Sequence, residues 1–183
     1  MANCLDFLAP ELHDEVGSRI ALGGVIQYKS GPVGPYSELF GAPVMLGRFS
    51  LRTHMSFVAV DSMPSMSAGE INWALPKQMS SFDGSIDDSN GLMIAGKDWG
   101  VHIKTRRFGP PAPGIASFSC VQVWPDGSLS VFRVRMRGFA RLATVELHHE
   151  TSSHEIAWAS PGRHCALRFF GKEIIEMPTP WNT

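Results

Sequence analysis

The sequence predicts a β-dominated (α+β) domain, an antiparallel β-barrel or cone with few short helices. Three observations support this prediction. Gly and Pro are abundant, at 18 and 13 of 183 residues, and they interrupt the chain at short intervals. Between them lie segments in which apolar and polar residues alternate, which is the pattern of half-buried strands. Stretches with helical periodicity are scarce, and a chain of many short strands favours a barrel or a strongly curved sheet.

Predicted strands follow one another along most of the chain. Thr53–Asp61 is a strong candidate, because β-branched and aromatic residues lead to a polar end. The Pro-Asp-Gly-Ser turn at 125–128 separates two others, since Pro presets φ and Gly tolerates positive φ. The full set is Arg19–Tyr28, Pro43–Phe49, Thr53–Asp61, Gly91–Ala95, Trp99–Lys104, Ser117–Trp124, Leu129–Met136 and Gly138–Leu147. Helical structure is expected only as a short turn at Ala9–Val16 and as one helix within Ile156–Phe170.

Composition limits the classes of protein to consider. The length fits one domain over residues 1–183, and 44% hydrophobic residues are enough for a core. A net charge of −1 argues against nucleic acid or an anionic membrane as a partner. No apolar run reaches the roughly 18 residues that cross a bilayer. The segment Met1–Pro10 lacks the basic leader of a signal peptide, so a cytoplasmic location is expected.

Metal and cofactor motifs are not apparent in the sequence. The three cysteines are scattered without a CxxC pair, which predicts free thiols: Cys4, Cys120 and Cys165. His148 and His149 are adjacent and would face opposite ways on a strand, so a polar surface is the favoured interpretation there. GxSxG, phosphate-loop and GxGxxG patterns do not occur. We expect neither a metal nor a cofactor.

Lysine is the informative residue type, because only five occur and Lys77 has the most apolar setting of them. It stands in the segment Trp-Ala-Leu-Pro-Lys-Gln-Met, at 73–79. Burial disfavours an ammonium ion, and a neutral amine can attack a carbonyl to form an imine. On this pattern alone, a surface lysine with a buried stem remains the commoner interpretation.

Two motifs resemble the acetoacetate decarboxylase family. The segment Gly69–Lys77 is similar to the family's stretch that ends in aromatic-Pro-Lys-Lys, in which the first lysine forms the Schiff base. Upstream, Gly-Pro-Tyr-Ser-Glu at 34–38 resembles the family's Gly-Pro-Tyr-x-Glu element, whose glutamate lines the active site. The resemblance implies that Lys77 is the catalytic amine and Glu38 a proton-handling or orienting carboxylate. One departure is Gln78, which replaces the family's second lysine.

The resemblance implies a Schiff-base-forming lyase that acts on a small β-keto acid. Two alternatives stay open: an imine-dependent aldolase or dehydratase acting on a keto acid or a natural-product intermediate, and a non-catalytic barrel that binds a small molecule. A homo-oligomer is also expected, because symmetric assembly protects the edge strands that such sheets leave exposed.

Overall fold

The computed structural model describes residues 7–15, 20–46, 51–151 and 154–181. Within them lie eleven strands and one α-helix. The strands are β1 (Ala21–Tyr28), β2 (Tyr36–Leu46), β3 (Leu51–Thr53), β4 (Phe57–Val60), β5 (Lys77–Met79), β6 (Ser81–Gly84), β7 (Leu92–Ala95), β8 (Gly100–Val123), β9 (Leu129–Thr151), β10 (Gly162–Ile175) and β11 (Thr179–Pro180). The helix α1 spans Met63–Trp73, and short 3-10 helices lie at Pro10–Glu15 and His154–Ile156.

All eleven strands belong to one sheet, in which the order β10-β9-β8-β3-β2-β4-β5 forms the main path. Strand β1 pairs with β2, β11 with β9, and β7 with both β6 and β8. Most pairs are antiparallel, but β3 with β8 and β4 with β5 are parallel. Over the described residues the sheet is open, as in a cone, so the β-dominated fold class is confirmed.

Two strands are much longer than predicted. Strand β8 has 24 residues and includes most of two predicted strands. These are Trp99–Lys104, of which only Trp99 lies outside β8, and Ser117–Trp124, of which only Trp124 lies outside. Strand β9 has 23 residues and joins the predicted pair Leu129–Met136 and Gly138–Leu147. Strand β8 continues through Gly and Pro positions and β9 through Gly138, because the two strands pair with each other along almost their whole length. Tertiary pairing therefore overrides the local turn signals.

The predicted helix within Ile156–Phe170 is wrong. Most of this range belongs to β10, which pairs antiparallel with β9 over all of Gly162–Ile175. The short apolar run Cys165–Phe170 fits both a helix and a strand, and periodicity alone does not separate the two. The long edge of β9 decides the outcome, since its backbone groups require a hydrogen-bonding partner. The predicted turn at Ala9–Val16 corresponds to the 3-10 helix at Pro10–Glu15.

Helix α1 was not predicted, although its ends carry recognisable signals. The Ser62 side chain accepts a hydrogen bond from the Ser65 N–H at 3.3 Å, and Pro64 lies in the first turn. The helix ends at Ala74, whose φ of 51° is left-handed and whose N–H bonds to the Glu70 carbonyl. None of the helices in the described part of the chain is long and apolar enough to cross a membrane.

Strand β4 lies between two parts of the core. Phe57 and Ala59 point to one cluster, whereas Val58 and Val60 point to the other. This alternation follows from strand geometry, and all four residues are buried. The Val58 and Val60 side is also the face on which the candidate site is built, so the site rests on packed apolar side chains.

Candidate active site

Lys77 is the first residue of β5, immediately after Pro76. Its backbone N–H donates to the Leu75 carbonyl at 2.8 Å, which holds a tight turn between α1 and β5. Strand β5 is parallel to β4, and Lys77 lies opposite Val58. The segment that resembles the family's lysine motif thus ends in a strand whose first side chain points at the core.

Glu38 reaches the same face from the other side of β4. It lies on β2 opposite Val60, in the antiparallel pairing of β2 with β4. Directly paired residues project from one face of a sheet, so Glu38 and Lys77 flank the Val58 and Val60 pair. The two predicted site residues, 39 positions apart in sequence, are brought together by this register.

The Lys77 amine makes two close polar contacts. Its Nζ donates to Glu38 Oε2 at 2.8 Å and to the Ser65 hydroxyl at 3.0 Å. The exposed fractions of the Lys77 and Glu38 side chains are only 5% and 12%. A charged pair so far removed from water is retained only with good geometry and further hydrogen bonds, and here Ser65 provides one.

Helix α1 forms one wall around the lysine stem. Ser65 and Gly69 are the buried residues of this helix, and four positions place them on the same face. A Cβ at Gly69 would lie 2.6 Å from both Cδ and Cε of Lys77, so the helix backbone approaches the stem closely. Neither residue was predicted as part of the site. Their spacing after the Ser62 cap was the available signal.

Two tyrosines form the other side of the site. The Lys77 Nζ lies 5.3 Å from the centre of the Tyr36 ring, which in turn stacks on Tyr28 at 4.5 Å. Burial, together with the nearby Glu38 carboxylate, raises the pKa of Tyr36 to about 12. Burial likewise raises the pKa of Tyr28, with the charges of Glu38 and Glu173 acting in the same direction. Both phenols are therefore protonated hydrogen-bond donors around neutral pH.

Gln78 faces away from the Lys77 amine. Successive residues of a strand point to opposite faces, and the Gln78 amide donates to Glu155 Oε2 at 3.4 Å. Position 78 therefore has little influence on Lys77 through direct contact, whichever side chain it carries.

A cavity of about 650 Å³ borders the Gln78 side of β5. Its lining includes His54, Pro76 and Gln78, together with apolar side chains such as Phe57. Lys77 and Glu38 are not among the residues that line this cavity. A carbonyl compound that reaches Lys77 must displace or share the contacts to Glu38 and Ser65.

The histidines interpreted as polar surface have ordinary partners. His148 lies 3.4 Å from Glu146, and His149 bonds to the Ala159 carbonyl at 2.7 Å. Over the described residues, no group of three or more His, Cys, Asp or Glu side chains is arranged to hold a metal ion. Cys120 and Cys165 are free thiols, while Cys4 lies outside the described residues.

No protein-family model matches the chain, and no curated protein matches it significantly. Solved structures do match. One is an acetoacetate decarboxylase with 13% sequence identity and a TM-score of 0.53. The match covers 91% of this chain and 75% of the decarboxylase. The acetoacetate decarboxylase of Legionella pneumophila matches 91% of this chain over 74% of its own, with 11% identity and a TM-score of 0.50. The chain therefore has an acetoacetate decarboxylase-like fold.

Proposed function

We propose that the protein is a lysine-dependent lyase that acts on a small β-keto acid. The observation that carries this proposal is the buried amine of Lys77, held 2.8 Å from the Glu38 carboxylate. The acetoacetate decarboxylase-like fold supports it, although a fold by itself does not define a reaction.

The proposed reaction uses the Lys77 amine as an electron sink. The neutral amine attacks the keto carbon, and loss of water gives a protonated imine. The carbon–carbon bond to the carboxylate then breaks, CO₂ leaves, and the bonding electrons move toward the imine nitrogen to give an enamine. Protonation of the enamine carbon restores the imine, and hydrolysis releases the ketone and the lysine.

Glu38 is the carboxylate placed to handle protons in these steps. Its Oε2 lies within hydrogen-bond reach of the amine, which is the first geometric requirement for a general acid or base. The Ser65 hydroxyl accepts a hydrogen bond from the same amine and fixes its direction. Proximity of this kind contributes to rate by holding the reacting groups in one geometry.

A second candidate is an imine-dependent aldolase or dehydratase. Among the described residues, the amine contacts a carboxylate, a hydroxyl and an aromatic ring. None of these three groups supplies a cation for a substrate carboxylate, whereas carboxylates are most often held by arginine or lysine. This feature favours retro-aldol or dehydration chemistry on a carbonyl compound that is held through other groups.

A turnover assay with a panel of β-keto acids and β-hydroxy carbonyl compounds separates the candidates. Release of CO₂ that is abolished in Lys77→Met, and reduced in Glu38→Gln, supports the lyase. Cleavage or dehydration without CO₂ release, also abolished in Lys77→Met, supports the second candidate. Turnover that survives Lys77→Met contradicts both, and Lys97→Met, at an exposed lysine, is the matched control.

A further inference from the structure

Glu173 is a partly buried carboxyl group that neither sequence motif includes. It lies on β10, and its Oε2 accepts a hydrogen bond from the Tyr28 hydroxyl of β1. The two residues are 145 positions apart in sequence, so the contact is purely tertiary. Among the described residues, no lysine, arginine or histidine forms an ion pair with Glu173. Its only close partner there is a phenol.

A continuous series of contacts connects Glu173 to the candidate site. Tyr28 stacks on Tyr36 with ring centres 4.5 Å apart and planes 24° from parallel. The Tyr36 ring lies 5.3 Å from the Lys77 Nζ. Tyr28 and Tyr36 are also direct partners in the β1 and β2 pairing, which holds the stack on the face that carries Glu38.

The electrostatic surroundings of Glu173 involve the same site. Burial raises the pKa of Glu173, the Glu38 charge adds to this, and the Tyr28 hydrogen bond and the Lys77 charge oppose it. The Glu173 charge in turn acts on Tyr28, on Tyr36 and on the buried Cys120 of β8. The ionisable groups that face Glu173 are therefore Tyr28 of β1, Tyr36 and Glu38 of β2, Lys77 of β5 and Cys120 of β8.

We propose that Glu173 is a positioning residue of the Lys77 site: its hydrogen bond with Tyr28 fixes the Tyr28–Tyr36 stack, and its charge acts on the groups around the Lys77 amine. This proposal rests on the proposed function, because the reaction of the Lys77 amine is taken from it. The coupling between Glu173 and the site is independent of it, because the contacts through Tyr28 and Tyr36 do not depend on what the amine is used for.

The first test measures the pH dependence of imine formation by borohydride trapping with a β-keto acid. Glu173→Gln keeps an acceptor for Tyr28 but removes a negative charge, so the ammonium is less favoured. The midpoint of trapping should move to lower pH by about 0.5 unit, a roughly threefold change in neutral amine at a given pH. Glu176→Gln is the matched control, since it removes a carboxylate of the adjoining segment that pairs with Arg135 instead. A Glu173→Gln midpoint that equals the control overturns the proposal.

The second test does not depend on trapping. Carbon-13 NMR of labelled glutamate carboxyls follows Glu173 directly, with its signal assigned by its loss in Glu173→Gln. Coupling is reciprocal, so Lys77→Met should raise the Glu173 midpoint by about 0.5 pH unit. Tyr28→Phe should raise it too, because a hydrogen bond to the charged form is lost, and this variant leaves the Lys77–Glu38 pair intact.

These two measurements separate the possible failures. If the wild type gives no trapped adduct but both variants move the Glu173 midpoint, the proposed function fails and the coupling stands. If trapping occurs at Lys77 but the Glu173 midpoint is unmoved in both variants, the positioning role is wrong. A midpoint moved by Tyr28→Phe and not by Lys77→Met also overturns it, since Glu173 then serves only the tyrosine.

Discussion

The close approach of helix α1 to the lysine stem makes Gly69→Ala a sensitive perturbation of the site. The added methyl carbon would lie 2.6 Å from Cδ and Cε of Lys77. Carbon atoms prefer separations of about 3.5–4.0 Å, so the stem must move by about 1 Å. Contacts of the amine with Glu38 and Ser65, at 2.8 and 3.0 Å, resist this movement.

Two opposing effects set the magnitude for Gly69→Ala. Overpacking of this kind lowers the free energy of unfolding by about 1–3 kcal/mol, whereas replacing a helical glycine by alanine raises it by about 1 kcal/mol. We therefore expect a net loss of about 1 kcal/mol in the free energy of unfolding. The effect on chemistry should be larger, since a 1 Å misplacement of a reacting group costs about 100-fold in rate.

Borohydride trapping rates and denaturant unfolding, measured on the same preparations, test this reasoning. Ser67→Ala, at an exposed position of the same helix, is the control for helix propensity and should leave the trapping rate unchanged. A Gly69→Ala protein that is more stable than the wild type and traps at the same rate would refute the placement of the Lys77 stem against α1.

Three further predictions follow from single features of the chain. Gln78→Lys should change the extent of trapping at Lys77 by less than about twofold, because an exposed pair with Glu155 on the far side of β5 has little long-range effect. A marked increase in trapping at any pH would contradict this prediction. Ala74→Gly should raise the free energy of unfolding by about 1 kcal/mol, measured by urea titration, since Gly adopts the left-handed C-cap of α1 without the Cβ penalty; no gain would refute the cap. Burial lowers the pKa of His54, so below about pH 6.5 the histidine is protonated in the unfolded chain but not in the folded one, and the free energy of unfolding should fall as the pH drops. His54→Gln should flatten this pH dependence. An unchanged slope in the variant would contradict the prediction.

The two central residues of the candidate site could be predicted from the sequence because each stands in a local motif that resembles the acetoacetate decarboxylase family. Lys77 follows an apolar segment that ends in Pro, and Glu38 closes the Gly-Pro-Tyr-x-Glu element. Lys77 is buried, with 9% of the residue exposed, whereas its local pattern alone favoured a surface lysine with a buried stem. Their catalytic roles stay predictions, as does the homo-oligomer.

The rest of the site depends on tertiary pairing that local patterns do not encode. Ser65 and Gly69 reach Lys77 only because α1 packs beside β5, and Glu173 reaches Tyr28 only because β10 is a strand. Because a helix was predicted within Ile156–Phe170, the strand β10 that carries Glu173 was not predicted. Long-range contacts of this kind are decided by the partner edge rather than by the residues of one segment.

The measurement that tests the central claim most directly is peptide mapping after borohydride reduction with a β-keto acid. We expect one reduced adduct, on the peptide that contains Lys77. The adduct should be absent in Lys77→Ala and retained in Lys97→Ala. An adduct on a different lysine, one that persists in Lys77→Ala, or none at any pH would contradict the claim that Lys77 is the reacting amine.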